Sequence, residues 1–395
     1  MRIAMFLDTT FPPDSRVENE AISLIQEGHE VFLFSLNYDK RPEQEEIRNI
    51  KVRRYPAGKL VYKFSALAYT LPVYHLLVYP KIVDFIKEVK PHALHVHDMV
   101  IARAVFWANR SGNLPVVLDL HENRPVIMKE YSHLKKFPGK YMINTKTWAK
   151  KQVELMQKAD KVVLVTEEAM DEAISYGVFD TNKFVIVPNT LHVDVFCGYP
   201  IDKGILKRFE NTFNIVYTGD TGLRRGTDTA IMALNILKEE IPNVKLILVG
   251  QNSEDVVLHK LVKSLKLEDY VTFEGWQDVT LFPSYIEAAE ICICPLKRNL
   301  HHDTTFANKI FQYMAIGKPI VASDCPAQKH VLEQEECGLI HEAGNENDLA
   351  EKILTLYHDS ALKKQLGKNG YKAIESRWNW DVTKKQLINL YETIV

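Results

Sequence analysis

Several motifs that mark well-known enzymes on parallel β-sheets are missing from this sequence. No Gly-x-Gly-x-x-Gly follows a predicted strand, which argues against a nicotinamide dehydrogenase. No Gly-x-Ser-x-Gly elbow for a nucleophilic serine occurs. There is also no His-Glu-x-x-His motif and no Asp-x-Asp pair at a predicted strand end. We therefore expect neither a bound metal ion nor a cofactor.

Cysteine is scarce, and the charges nearly balance. The chain has five cysteines, an odd number, and no pair of them has the spacing of zinc ligands. Cys292 and Cys294 flank Ile293 in an apolar run, so both should face one side of a strand and pack in the core. A cytoplasmic location is the default expectation. The formal net charge of -2 gives no general attraction to nucleic acid.

Long uninterrupted apolar runs are absent as well. The first eight residues form a short apolar run that ends at Asp8, which predicts a buried strand rather than a signal peptide. The stretch from Leu60 to Val83 is rich in apolar residues. Charged residues and prolines divide it into segments shorter than the roughly 20 apolar residues that a spanning helix needs. We interpret it as helices packed on a sheet; contact with a membrane is the alternative. It is interrupted by Lys63, Pro72, His75, Pro80 and Lys81.

A lysine-rich stretch follows in the first half of the chain. It admits two interpretations: the solvated face of a helix, or a surface that docks on anionic lipid at the inner face of a membrane. The lysines are Lys135, Lys136, Lys140, Lys146, Lys150, Lys151 and Lys158.

Strand and helix patterns alternate twice along the 395 residues, which is enough chain for two domains. The first series runs from the strand at Arg2 to Leu7 to the strand at Phe184 to Val187. The second begins with the strand at Ile215 to Thr218. This alternation predicts an α/β protein with two Rossmann-like domains that face each other. The break lies between Asn189 and Asn214.

The stretch from Thr304 to Ser323 predicts a loop, a short amphipathic helix that ends at Gly317, and a buried strand. A polar loop that enters a helix N-terminus suits an anion. The stretch resembles the nucleotide-sugar segment of the GT-B glycosyltransferases of the glycogen-synthase-like family (family 4 type). There the usual form is Glu-x-Phe-Gly, four residues, then Glu-Ala-Met-Ala-x-Gly-x-Pro-Val-Val-Ala. The positions that match are Phe306, Met314, Ala315, Gly317, Pro319, Val321 and Ala322.

The resemblance implies a GT-B fold, two Rossmann-like domains across a cleft, with a C-terminal helix that crosses back to the first domain. The boundaries we expect are 1–195 plus 378–395 for the acceptor domain and 196–377 for the donor domain. Thr304 and Gln312 replace the two family glutamates, and Asp303 is the nearest carboxylate to the first. Gln312 can still hydrogen-bond a ribose hydroxyl. Backbone or side-chain contacts with the donor are expected from Phe306, Ala307, Asn308 and Lys309.

The loop from Tyr217 to Gly226 lies between a predicted strand and a helix, where α/β sheets bind ligands. Gly219 lets a phosphate approach the backbone, and Arg224 and Arg225 can neutralise a diphosphate. The loop resembles the family's Gly-Arg-x5-Lys-Gly: Arg225 replaces the lysine, and Asp220 replaces the arginine. An ordinary surface loop is the alternative.

Polar residues also follow two predicted strands of the first domain. His121 takes the place of a family histidine that reaches the sugar, with Glu122 beside it. His97 and Asp98 end the preceding strand and could also face the cleft. In the first loop, Arg16 could hold a phosphate or simply be solvated.

The resemblance therefore implies a retaining, metal-independent glycosyltransferase that moves a sugar from a nucleotide-sugar donor to an acceptor hydroxyl. Its expected role is in polysaccharide or lipid-linked glycan synthesis, with Arg225, Lys309 and His121 in the catalytic site. Two alternatives stay open: a nucleotide-sugar-binding subunit without catalysis, and a nucleotide-sugar epimerase that would use Asp98, Glu122 and His121. The sequence does not identify the base, the sugar or the acceptor.

Overall fold

The computed structural model describes residues 1–128 and 143–394. The chain divides into two compact units. The first comprises Met1–Pro188 together with Lys384–Val395, and the second comprises Asn189–Thr383. Lys135, Lys136 and Lys140 of the lysine-rich stretch lie outside the described residues.

The described part of the first unit is built on an eight-stranded sheet with the order β3-β4-β2-β1-β5-β6-β7-β8. Every pairing is parallel except that of β3 with β4. The strands are β1 (Arg2–Leu7), β2 (Glu30–Asn37), β3 (Gln44–Ile47), β4 (Ile50–Pro56), β5 (Ala93–His97), β6 (Val116–Asp119), β7 (Lys161–Leu164) and β8 (Phe184–Ile186).

Helices cover both faces of this sheet. They are α1 (Ser15–Gln26), α2 (Lys59–Ser65), α3 (Val73–Val89), α4 (Met99–Ala108), α5 (Arg124–Met128), α6 (Thr145–Lys158) and α7 (Glu167–Ser175). Parallel strands buried on both faces need continuous apolar runs, and β1 has one in Ile3–Leu7. The same holds for Val116–Leu118 in β6.

The second unit, which lies entirely within the described residues, has a six-stranded parallel sheet with the order β11-β10-β9-β12-β13-β14. Its strands are β9 (Phe213–Thr218), β10 (Val244–Val249), β11 (Val271–Gly275), β12 (Ile291–Cys294), β13 (Ile320–Ser323) and β14 (Gly338–His341). Its helices are α8 (Val193–Cys197), α9 (Lys203–Arg208), α10 (Thr227–Glu240), α11 (Asp255–Ser264), α12 (Phe282–Glu287), α13 (Leu300–Thr304), α14 (Asn308–Ala315), α15 (Pro326–Gln334), α16 (Glu346–His358) and α17 (Ser360–Ser376).

The last helix, α18 (Trp380–Thr393), begins in the second unit, and its residues from Lys384 onward belong to the first. The unit boundaries differ slightly from the expected ones for a packing reason. Phe196 of α8 is buried in the core of the second unit, so the chain joins that unit before residue 195. Trp378 stacks on Phe311 with ring centroids 5.6 Å apart, which keeps the start of the tail there as well.

The hairpin of β3 and β4 was not predicted from the sequence. Gln44–Ile47 is mostly exposed and polar, so it gives no apolar signal. Its partner β4 buries alternate residues only. An edge hairpin of this kind is stabilised by its pairing with β2, a tertiary contact.

The apolar stretch from Leu60 to Val83 forms α2 and most of α3. The prediction of helices packed on a sheet holds for α3, which buries Tyr74, Val78, Ile82 and Phe85. Helix α2, in contrast, has no buried residue. Among the described residues, we find no helix with the length and hydropathy that crossing a membrane would require.

Gly226 is required by both backbone conformation and space. Its φ is +76°, and a Cβ at this position would lie 1.6 Å from the carbonyl oxygen of Pro295. Gly275 has a similar φ of +67° but no atom within 4 Å of its Cβ position. Substitutions at these two glycines therefore distinguish the free-energy cost of a left-handed backbone from that of a steric clash.

We predict that Gly226→Ala lowers the free energy of unfolding by about 3 kcal/mol or more, because strain and clash add. Gly275→Ala should cost only about 1 kcal/mol, for the backbone conformation alone. Urea unfolding of the two purified variants measures the difference. Equal losses in the two would show that Pro295 moves aside without cost.

Candidate active site

The loop between β9 and α10 is organised by a carboxylate. Asp220 Oδ1 accepts hydrogen bonds from the Gly222 amide at 3.1 Å and from Asn252 Nδ2 at 2.6 Å. Asp220 Oδ2 lies 3.4 Å from Arg225 Nε and 3.6 Å from Arg224 Nη2. Asp220, at the position where the family has an arginine, therefore fixes the loop and both arginines.

Lys309 reaches this loop from the first turn of α14. Its Nζ lies 3.6 Å from the ring centroid of Tyr217 and 3.5 Å from the Cβ position of Gly219. Burial, together with the charge of Arg225, lowers the pKa of Lys309 to about 7. Two cationic groups thus converge beside Gly219, and one of them titrates near neutral pH.

His302 is a site residue that the sequence reasoning missed. Its Nδ1 donates to the carbonyl oxygen of Lys297 at 2.8 Å, so its Nε2 carries the lone pair. That nitrogen faces Arg225 Nη1 at 3.5 Å. Burial is the main cause that lowers the pKa of His302 to about 4 and keeps the ring neutral. The only sequence signal for His302 was its position directly before Asp303, a candidate site residue.

Thr304, which replaces the first family glutamate, and Asp303, the nearest carboxylate to it, are both engaged inside the second unit. Asp303 accepts two hydrogen bonds from Arg298, at 2.7 and 3.1 Å. Thr304 is buried, and its hydroxyl donates to the carbonyl oxygen of Leu300 at 2.7 Å. The geometry gives neither side chain the role of the missing glutamate.

The start of α14 differs in one detail from the expected phosphate cradle. The Ala307 amide donates to Gln328 Oε1 at 3.2 Å, so it is occupied. Helix α14 follows Ala307 without a side-chain cap. Phe306 packs on Trp378, whereas Asn308 is exposed and Gln312 is half-buried. The uncapped helix start keeps the positive end of its dipole beside Lys309.

A buried polar cluster lies at the carboxyl edge of the first sheet. Asp119 ends β6, and its Oδ2 accepts hydrogen bonds from His121 Nε2 at 2.8 Å and from His97 Nδ1 at 3.2 Å. Arg16 of α1 donates to both Asp119 oxygens, at 2.9 and 3.2 Å, and lies 3.0 Å from Glu20 Oε1. One guanidinium is shared by two buried carboxylates.

The protonation states in this cluster follow from burial and from these contacts. Burial opposes charge on His121, but the Asp119 carboxylate outweighs it and raises the pKa of His121 to about 10. Burial would raise the pKa of Asp119, yet Arg16 and His121 hold it well below its usual range. Burial and the neighbouring Asp119 raise the pKa of Glu20. His121 is therefore an imidazolium at neutral pH.

Arg16 was expected to face a cleft and hold phosphate, or else to be solvated, and the structure contradicts both. The side chain is only 4% exposed, and its remaining nitrogen donates to the carbonyl oxygen of Val187 at 3.0 Å. The two buried carboxylates draw the guanidinium inward, because each would be costly without a cation. Its role in the structure is internal.

The residues that follow β5 and β6 differ in burial, backbone conformation and hydrogen bonding. Asp98 follows β5 with φ +62°, a strained conformation for a non-glycine residue, and its buried Oδ1 has no hydrogen-bond partner among the described residues. Such strain is typical of functional positions. Glu122 is exposed, whereas His121 is 15% exposed. Asp98 and His121 are thus the groups at this edge best placed for a ligand.

The C-terminal helix contributes to the same cluster. The hydroxyl of Tyr391 lies 2.7 Å from His95 Nδ1. His95 stacks on His97, with ring centroids 4.5 Å apart. Alternation along β5 predicts that His95 shares a face with His97, although the sequence alone indicates only a core position for His95.

One group among the described residues has the composition of a metal site. Ligand atoms of Glu20, His95, His97 and Asp119 all lie within 4.8 Å of one another. Arg16 already contacts both carboxylates, however, and supplies the positive charge that a cation would bring. The donor set therefore fits an internal ion pair better than a metal ion.

The structure thus brings together Gly219, Arg224, Arg225 and Lys309 in the second unit. In the first unit, it gathers His97 and His121 around Asp119. Each group lies beside the carboxyl ends of parallel strands, where α/β sheets bind ligands.

Two family models match successive parts of the chain. The model described as glycosyltransferase family 4 matches residues 15–195, and the one described as glycosyl transferases group 1 matches residues 200–373. Glycosyltransferase MJ1069 of Methanocaldococcus jannaschii is 21% identical over 374 residues, which cover 93% of this chain and 91% of the relative. A phosphatidyl-myo-inositol mannosyltransferase of Mycobacterium leprae is 24% identical over 301 residues, 76% of this chain and 73% of the relative.

A solved structure has the same fold. The crystal structure of Anabaena Alr3699/HepE in complex with UDP superimposes with a TM-score of 0.76. It is 16% identical in sequence, and the match covers 100% of both chains.

We predict that Arg16→Met lowers the free energy of unfolding by about 3–5 kcal/mol, because it removes the guanidinium that Asp119 and Glu20 share and leaves Asp119 with His121 as its counter-charge. The matched control is Arg298→Met, which breaks the more exposed pair with Asp303 and should cost less than about 1 kcal/mol. Chemical denaturation of both variants measures the losses. A loss for Arg16→Met no larger than for the control would mean that the buried carboxylates are neutral.

Proposed function

The chain belongs to the GT-B glycosyltransferases of the family 4 type, and on that premise we propose that it transfers a sugar with retention and without a metal ion. The donor is a nucleotide-sugar, and the acceptor is a hydroxyl of a polysaccharide or lipid-linked glycan. The single observation that carries the proposal is the convergence of Arg225 and Lys309 on the glycine loop at Gly219.

These two cations can stabilise the charge that develops on a departing diphosphate. Arg225 is held between Asp220 and His302, so little reorganisation is needed when a phosphate arrives. Lys309 Nζ lies 3.5 Å from the Cβ position of Gly219, so the absence of a side chain there lets the ammonium approach the loop backbone. Arg224 shares Asp220 and adds a third positive charge at the rim. Protein cations can thus do what a divalent metal does in other transferases.

His121 is the candidate for contact with the transferred sugar. Its Nε2 is used by Asp119, so Nδ1 is the nitrogen that can donate to a sugar hydroxyl. In a retaining path in which the leaving phosphate takes the acceptor proton, no protein base is needed. Asp98, at the same edge, has a strained backbone and a carboxylate oxygen without a hydrogen-bond partner among the described residues. We assign it to the acceptor hydroxyl.

Within this proposal, the enzyme works in the cytoplasm at the inner face of a membrane. The support is the relative from Mycobacterium leprae, whose name specifies a phosphatidyl-myo-inositol acceptor. The described part of the lysine-rich stretch adds support. Helix α6 buries Trp148 and Leu155 and leaves its lysines on the solvated side.

A nucleotide-sugar-binding subunit without catalysis is the second candidate. It is favoured by the burial of Thr304, whose hydroxyl donates to Leu300, because no carboxylate then stands at the place of the first family glutamate. Binding of a nucleoside diphosphate without turnover of any donor would support this candidate.

The proposed reaction can be tested with the purified protein. A thermal-shift screen against UDP, GDP, CDP, ADP and dTDP first identifies the base, because a ligand that binds the folded state raises its melting temperature. Donors of that base are then offered with glycan and lipid-linked acceptors in EDTA. Proton NMR of the product should show the anomeric configuration of the donor.

Arg225→Ala is the matched inactive variant, with an expected loss of about a hundredfold in kcat, or roughly 3 kcal/mol of barrier. An inverted product, or activity that returns only with magnesium, would contradict the proposal. So would an Arg225→Ala protein with the turnover of the wild type.

We further predict that a nucleoside diphosphate binds with uptake of protons at pH 8. The lowered pKa of Lys309 leaves its amine mostly neutral at that pH, and a bound diphosphate should raise the pKa and charge it. Uptake should be small at pH 6, where the ammonium is already formed. Calorimetry in buffers with different ionisation enthalpies measures the number of protons.

Lys309→Arg is the control for this prediction, because a guanidinium stays charged throughout this range. The variant should bind the nucleotide without proton uptake at pH 8. Uptake that is unchanged in Lys309→Arg would assign the protons to another group.

A further inference from the structure

Two aspartates follow neighbouring strands at the carboxyl edge of the first sheet. Strands β1 and β5 pair in parallel with Phe6 opposite Val96, so Asp8 and Asp98 each lie two residues beyond that pair. Neighbouring strands are about 4.8 Å apart. Two carboxyl groups thus emerge side by side where parallel sheets bind their ligands.

Polar atoms beside these strand ends have no internal partner. Asp98 precedes α4, but its side chain does not cap the helix, and its buried Oδ1 has no hydrogen-bond partner in the described parts of the chain. Tyr74 of α3 is fully buried, and its hydroxyl has no partner there either. Because a buried polar atom without a partner costs stability, packing of the fold does not explain these two groups.

Asp8 is electrostatically linked to both groups. Desolvation raises the pKa of Asp8 to about 6; Arg124 opposes this change, and the charge of Asp98 adds to it. Desolvation, followed by the charge of Asp8, raises the pKa of Tyr74 well above its usual value, so Tyr74 keeps its proton. We call Asp8, Tyr74 and Asp98 the Asp8 cluster.

A cavity of about 940 Å³ adjoins the Asp8 cluster, and its volume is in the range of ligand pockets. Thr9 and Thr10, which directly follow Asp8, line it together with Tyr38. Desolvation, followed by the charge of Asp8, raises the pKa of Tyr38. The field of the Asp8 carboxylate therefore reaches the wall of the cavity.

Negative charge predominates in the loops that follow β1, β5 and β6. Residues 8–14, 98 and 120–124 contain four acidic side chains and two cationic ones: Asp8, Asp14, Asp98 and Glu122 against His121 and Arg124. Carboxylates accept hydrogen bonds from hydroxyls and repel anions, and the protonated Tyr74 hydroxyl is a donor. This combination suits a neutral polyol better than an anion or a cation.

We propose that the Asp8 cluster binds the reacting sugar of the acceptor, and that this sugar is uncharged and presents two neighbouring hydroxyls. Each hydroxyl donates to one carboxylate, and the Tyr74 hydroxyl donates to a sugar oxygen. The negative charge selects against a uronic acid or a phosphorylated sugar at this position. The inference rests on the proposed function for the identity of the ligand as an acceptor, to which it adds Asp8 and Tyr74 as contacts.

Binding of sugars tests the acceptor class without turnover. Full-length protein in EDTA, with and without the nucleoside diphosphate that raises its melting temperature, is titrated with methyl glycosides of glucose, galactose and mannose and of the matching uronic acids. Saturation-transfer NMR at pH 8 gives the affinities. We expect a neutral glycoside to bind about tenfold or more tightly than its uronic acid. Binding of no neutral glycoside, or equal binding of the uronic acid, would overturn the proposal.

Two variants remove one polar group each. Asp8→Asn and Tyr74→Phe should each weaken binding of the neutral glycoside about tenfold and leave the nucleotide affinity unchanged. Neither should lower the melting temperature at pH 8, because one removes a desolvated charge and the other a buried hydroxyl without a partner.

The matched control for these variants is Asp180→Asn. Asp180 is exposed and precedes β8, at the opposite edge of the sheet, so this variant should bind sugar as the wild type does. Sugar affinity that is unchanged in Asp8→Asn and Tyr74→Phe, or that falls only together with the melting temperature, would overturn the proposal.

The pH dependence of sugar binding tests Asp8 separately. With a pKa of about 6, Asp8 is ionised at pH 8 and about one-tenth ionised at pH 5, so affinity should fall about tenfold over this range. The fall should be absent in Asp8→Asn, which separates Asp8 from its acidic neighbours, whereas the tyrosines and Arg124 do not titrate here. The groups whose charge is linked to Asp8 are Asp14, Tyr38, Tyr69, Tyr74, Asp98 and Arg124. A fall that persists in Asp8→Asn would overturn the role of Asp8.

Transfer assays separate this inference from the proposed function. Sugar binding that depends on Asp8 and Tyr74, without turnover of any donor, would contradict the proposed transfer alone. Transfer with an acceptor KM that is unchanged in both variants would contradict the Asp8 cluster alone. Sugar binding that appears only after magnesium is added would make the two carboxylates a metal site and overturn the inference.

Discussion

The guanidinium of Arg16 is the constraint on which the first unit depends. Two carboxylates, from α1 and from the end of β6, are buried beside it, and neither can remain charged there without a cation. Because Asp119 is kept ionised by Arg16, it can in turn hold His121 as an imidazolium at the sheet edge. The positive charge of His121 at the sheet edge thus depends on the buried ion pair of Arg16 and Asp119.

In the second unit, positively charged side chains lie close together and are balanced by a carboxylate. Its loop must gather positive charge, and cations that lie close together repel one another. Asp220 lies between Arg224 and Arg225 and reduces this repulsion, while Asn252 and the Gly222 amide hold the carboxylate in place. Burial lowers the pKa of Lys309, and the charge of Arg225 lowers it further. Asp220, which replaces an arginine of the family pattern, therefore holds the two arginines of the loop close together.

The carboxyl edge of the first sheet connects these features to the exposed helices. The cavity, Asp98 and His121 all follow strands that run in the same direction. Helix α2 borders the cavity with Lys59 and Tyr62, and its remaining side chains are exposed or half-buried. One edge thus combines a cavity, a strained carboxylate and exposed apolar and basic side chains.

The sequence by itself determined the two series of strands and helices, because continuous apolar runs and glycine stops are local signals. A resemblance to the family pattern singled out Gly219, Arg225 and Lys309, and the structure places Lys309 Nζ beside Gly219. Their contact with the donor stays a prediction. The sequence did not predict the hairpin of β3 and β4, whose polar strand is stabilised only by pairing. Tertiary structure alone decided that Arg16 points inward, that Asp303 pairs with Arg298, and that His302 meets Arg225. Each of these depends on which residues distant in sequence share a buried space, and in that space the cost of an unpaired charge selects the partner.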